Sequence, residues 1–183
     1  MNKKKAIALI SKSSGITLYQ DIDGSSWLSN GYALYNMGKF PHCDSEDEVA
    51  SVLGLTEKQA AGKKITISYH FPFALGTMKQ FTGLYPANFS ITTACRKLYI
   101  LTSEKVAVAV DADFIKPFNL SEETSFYAYF TNENDRIALV AVVYGMITVG
   151  YICPQDIDND QIDIMRETIR GLKNYEVSND VQL

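Results

Sequence analysis

A chain of 183 residues, 46% hydrophobic and 21% charged, has the balance of a globular protein, and its length buries a core without disulfide or metal staples. The net charge of −4 is uneven: residues 1–153 carry fourteen basic and fourteen acidic side chains, and residues 154–183 carry three and seven. A neutral body excludes the general attraction for phosphate backbones on which non-specific nucleic-acid binding depends.

Residues 5–11, KAIALIS, read as a short strand, and residues 15–20, GITLYQ, as the next. The apolar stretch 6–10 is too short for the core of a signal peptide, and a cytoplasmic protein is expected. Two turn signals follow, Asp23-Gly24 and Asn30-Gly31, each with apolar flanks, which predicts a meander over residues 16–35. Asp21-x-Asp23-Gly24 also invites a metal reading, but Asp-Gly between apolar flanks is the ordinary hairpin turn.

The period then changes. Ser45-x-x-Glu48 and Thr56-x-x-Gln59 are capping boxes, and they predict two short helices stopping at Gly54 and Gly62. KITISYHF returns to strand alternation, with Ile65, Ile67 and Tyr69 on one face. Pro72, Gly76, Gly83 and Pro86 punctuate residues 71–94, which read as a loop-rich connection. A single domain is expected over residues 1–183, with strand-rich halves 1–70 and 95–175 as the alternative division.

RKLYILTS and VAVAV are strands around a turn at residues 103–105, and residues 111–118 suggest one helical turn ended before Pro117. SFYAYF leads to the longest uncharged run, residues 137–153. Its Val140, Val142, Val143, Ile147, Val149 and Ile152 are β-branched, and Tyr144-Gly145 breaks it near the middle. That predicts a buried hairpin of residues 137–143 and 146–152, and no membrane span. Ile162, Met165, Ile169 and Leu172 then recur at helical spacing. The expected fold class is α+β: mainly antiparallel strands in a meander, two short helices near 45–61 and a C-terminal helix. Units opening at Leu18-Tyr19 and Leu98-Tyr99 suggest a weak, clamp-like internal duplication.

Few constellations carry chemistry. Asp156, Asp158, Asp160 and Glu167 have calcium-loop spacing, but Gln161 stands where the loop needs glycine, and a helix N-terminus attracts acids anyway. Cys43, Cys95 and Cys153 are odd in number and form no CxxC pair, which argues against zinc and against a disulfide framework. His42 and Cys43 are adjacent and point apart in extended chain, so a cysteine hydrolase would need His70 instead. No HExxH, GxSxG or Walker A motif occurs; no catalytic residue, metal site or cofactor is expected.

Residues 27–41 are the best surface candidate. Trp27, Tyr32, Tyr35 and Phe40 mix with flexible Asn30-Gly31 and Gly38-Lys39, as in binding surfaces, although the same residues suit a core strand. The run DGSSWLSNGYALYNMGKFP with the acidic helix after it resembles uncharacterised small proteins of phages and mobile elements in Gram-positive bacteria. The resemblance covers residues 16–60 and implies an accessory role with no functional residues to transfer. The expected function is a non-catalytic binding or accessory module with a protein partner or self-association. The alternatives are a clamp-like DNA-processing factor, with Lys58, Lys63, Lys64, Arg96 and Lys97 on one concave face, and a small hydrolase using Cys43.

Overall fold

The computed structural model describes residues 1–21, 24–72, 81–92, 96–104, 106–130, 137–155 and 167. The C-terminal helix, the acidic run at Asp156, Asp158 and Asp160, and Cys95 lie outside the described residues. The chain is α+β, as expected, and among the described residues it is built on one sheet of ten strands, antiparallel at every pairing but that of Gly15–Gln20 with Lys64–Ser68.

The first element corrects the sequence reading. Lys3–Ile10 is a helix (α1), not a strand. The Asn2 side chain caps it by accepting from the Lys5 N–H, and Ala6 and Ile10, one turn apart, are its buried residues. Both the strand period and the helix period fit KAIALIS; the cap and the high propensity of Lys, Ala and Leu decide between them.

Gly15–Gln20 (β1), Ser25–Ser29 (β2) and Ala33–Lys39 (β3) form the predicted meander. Asn30 builds its second turn by accepting from the N–H groups of Tyr32 and Ala33, with Gly31 at φ +87°. Glu46–Val52 (α2) is capped by Ser45, and Glu57–Ala60 (α3) by the full Thr56–Gln59 box. Lys64–Ser68 (β4) returns parallel to β1.

Residues 81–92 correct the reading of a loop-rich connection, because Phe81–Thr92 is a twelve-residue strand (β5). Its first residues pair with Thr124–Phe130 (β8) and its later ones with Lys97–Thr102 (β6). Pro86 stands at the register shift beside Ser90, where a missing N–H is tolerated. Ala107–Asp111 (β7) follows, then Ala112–Ile115 (α4), one helical turn that ends before Pro117, and a 3-10 turn over Lys116–Phe118.

Ile137–Tyr144 (β9) and Ile147–Ile152 (β10) are the predicted hairpin, turned by Gly145 at φ +59°. The strand order is β4-β1-β2-β3-β10-β9-β8-β5-β6-β7, so the hairpin sits in the middle and joins the two sets of strands. The units at Leu18-Tyr19 and Leu98-Tyr99 are not equivalent in facing. Leu18 and Tyr99 belong to the main core, whereas Tyr19 and Leu98 belong to clusters on the opposite face.

The main core lies between the sheet and the described helices. Ile16, Leu18, Leu28, Tyr35, Met37, Val140, Val142 and Ile152 meet Ile10, Val49, Ile115 and Phe118 there. Gln20 is also buried on this side, and its amide clamps the segment before α2: it donates to Cys43 O at 2.8 Å and accepts from Cys43 N–H at 2.9 Å. Gln20→Leu strands both backbone groups and is expected to cost about 2 kcal/mol in urea unfolding.

Candidate functional site

Strand alternation sends every second side chain to the face turned away from the described helices. From β1 to β8 those positions include Thr17, Tyr19, Trp27, Ser29, Leu34, Asn36, Tyr151, Ala141, Tyr127 and Tyr129, none of them charged. Leu34, Leu139, Ala141 and Tyr151 are buried there, with Tyr19, Trp27, Tyr127 and Tyr129 half-buried around them.

The rings form a contiguous cluster. Trp27 meets Phe71 edge-on at 5.3 Å between centroids and Tyr151 at 5.8 Å. Phe71 also contacts Tyr151 at 6.1 Å and Tyr19 at 6.4 Å, and Tyr129 contacts Tyr151 at 6.4 Å. Tilted and edge-on contacts at these distances suit the ring quadrupoles. Tyr151 is 4% exposed and forms the floor, whereas Phe71 is 37% exposed and forms the rim. Burial, with Tyr129 beside it, pushes the Tyr151 phenol up, so it stays neutral.

The four rings singled out from the sequence do not share one surface. Trp27 lies in this cluster. Tyr32 is 60% exposed at the β2–β3 turn and stacks on Phe114 at 6.3 Å, with 8° between the planes. Phe40 is half-buried against the main core. Tyr35 is wholly buried: its ring packs on Phe118 at 5.2 Å and its hydroxyl donates to Phe114 O at 2.9 Å. A wholly buried ring presents no surface to a partner in this structure.

Burial, then Asp111 and Asp113, hold the Tyr35 phenol far above its ordinary range. Its folded pKa lies above that of unfolded tyrosine, so the stability tied to the neutral phenol is complete below about pH 10 and is lost as pH rises further. Wild type is expected to lose denaturant resistance above about pH 10 more steeply than Tyr35→Phe, as read by urea midpoints.

The residues proposed for catalysis each bond another partner. Cys43 is buried, its thiol donates to Pro41 O at 3.5 Å, and burial with Glu48 and Asp44 nearby pushes it up, away from the thiolate. His42 Nε2 bonds Asp44 at 3.1 Å, and the exposed His70, just beyond the end of β4, donates its backbone N–H to the Ser68 hydroxyl. Clefts of about 220 Å³, lined by Lys5, Lys12, Asp113 and Lys116, and of about 370 Å³, lined by Glu46, Asp47, Glu57 and Lys63, open on the helix side without histidine or cysteine.

No metal-ligating cluster occurs among the described residues, and no described helix is long and apolar enough to cross a membrane. The basic set is split as well. Lys58 is in α3, Lys63 donates to Ser13 O and Lys64 is in β4, whereas Arg96 donates to Gln155 and Lys97 opens β6, near the other end of the sheet.

Sequence reasoning found Trp27 and missed its partners. Phe71 follows β4 by a few residues, and the alternation of KITISYHF drew attention to Tyr69; Tyr151 was folded into an apolar run read only as core. No family model, no curated protein and no solved structure matches the chain.

Proposed function

We propose that the protein is a non-catalytic binding module, an accessory factor that docks a protein partner on the sheet face centred on Trp27, Phe71 and Tyr151. The observation that carries this reading is the ring cluster itself: half-buried aromatic anchors on an uncharged strand surface, with Phe71 at the accessible rim. Among the described residues, and apart from charged side chains at its edges, that face lacks the cations that a base-stacking platform needs to track a phosphate backbone, which favours protein over nucleic acid. The raised thiol of Cys43, bonded to a backbone carbonyl and to no histidine among the described contacts, favours binding over hydrolysis.

A photo-crosslinking residue at position 71, in the cells that make the protein, tests the proposal against the same residue at Lys5, exposed on α1 on the helix side. A discrete protein adduct from position 71 and none from position 5 is the expected result. Equal labelling at both positions, or a nucleic-acid adduct at position 71, would overturn it.

A further inference from the structure

β4 ends the sheet on one side, and among the described residues no strand pairs with its outer edge. The Lys64 N–H donates to Ser14 O at 2.8 Å, so Lys64 turns its backbone toward β1. Parallel pairing then alternates: Thr66 and Ser68 also face β1, and the N–H and C=O of Ile65 and Ile67 point outward. Unpaired outward groups along a strand are a template for another strand.

The sequence of this edge is self-complementary. In an antiparallel pairing centred on Thr66, Ile65 lies opposite Ile67 of a second copy and Lys64 lies opposite Ser68. The outward groups of Ile65 and Ile67 then exchange hydrogen bonds in both directions, and Thr66 meets Thr66 as a pair without hydrogen bonds. No lysine faces a lysine. The isoleucines lie on the core side, Ile65 buried and Ile67 half-buried, so the pairing would join the two apolar layers.

The opposite edge of the sheet differs. The outward carbonyl of Ala109 in β7 already accepts from the Gln155 N–H at 2.9 Å. Head-to-tail joining of β4 to β7, as an open chain or ring would need, meets an occupied edge, and a closed two-fold contact between identical edges does not.

We infer that two copies of this chain associate through β4, antiparallel about Thr66, into one continuous sheet. The inference uses the edge of the sheet and does not rest on the partner-docking face. Sedimentation equilibrium of the full chain at micromolar concentration is expected to give the mass of two chains. Ile67→Pro removes an outward donor where an edge strand tolerates proline, and should give one chain with an unchanged circular dichroism spectrum.

Thr66→Cys provides an independent reading. A non-hydrogen-bonded antiparallel pair sets Cα atoms about 4.5 Å apart, within disulfide reach. Under mild oxidation Thr66→Cys should form a covalent dimer, whereas Ser68→Cys, opposite Lys64, and the wild type with its own cysteines should not. A one-chain mass for the wild type would overturn the inference, as would a failure of Thr66→Cys to cross-link more than Ser68→Cys.

Discussion

Gly150→Ala is expected to destabilise the protein by about 3 kcal/mol, the upper end for overpacking, and Gly150→Val to leave little folded protein. A Cβ at Gly150 runs into the edge of the Phe118 ring, at Cε1 and Cζ, and comes within 2.7 Å of the Leu34 carbonyl oxygen. Neither obstacle gives way readily. Leu34 is backbone in the neighbouring strand β3, and Phe118 is wholly buried against Tyr35. The register of β10 against β9 also shifts between Thr148 and Gly150, next to this contact. Phe118→Leu in the Gly150→Ala background removes the ring edge, so the double variant should lose less than the sum of the single losses. Urea unfolding of the four proteins measures this directly.

Val142→Asp is expected to cost several kcal/mol, about enough to unfold a domain of ordinary stability. Val142 is fully buried in β9, between Phe126 of β8 and Gly150 of β10, and faces the main core with no polar group described beside it. Val149→Asp should be milder, because Val149 is only half-buried at the rim of the same core. Thermal melts of the two variants separate the central hairpin position from its margin. Equal tolerance of both would mean that β9 is not a central buried strand.

The hairpin was legible in the sequence because its evidence is local: β-branched residues on both sides of Tyr144-Gly145 have no other comfortable arrangement. The capped helices were legible for the same reason, since Ser45 and Thr56 act on N–H groups three residues away. α1 was not, because a short run of alternating Lys, Ala, Ile and Leu satisfies either period, and only Asn2 breaks the tie. β5 was hidden by Gly83 and Pro86, which ordinarily end strands. Here Gly83 lies opposite Tyr127, and Pro86 falls where the strand exchanges one partner for another. No pattern within β5 announces that exchange.

The site was legible only as a collection of rings. Burial separated them: alternation along β3 sends Tyr35 to the core and Leu34 to the other face, and the Asn30-Gly31 turn leaves Tyr32 in solvent. What gathers Trp27 with Tyr151 is strand order, β2-β3-β10, which depends on where the last hairpin inserts. Phe71 reaches Trp27 because β4 lies beside β1, through a parallel pairing that no local signal encodes.

The emission of Trp27, the one tryptophan in the chain, measured in the wild type and in Phe71→Ala with a neutral quencher, tests the proposed face most directly. A half-buried indole against Phe71 and Tyr151 should give intermediate quenching in the wild type, and a red-shifted, more quenchable emission once the Phe71 ring is gone. A blue-shifted, quencher-resistant emission that Phe71→Ala leaves unchanged would place Trp27 in a closed core and contradict an accessible aromatic face.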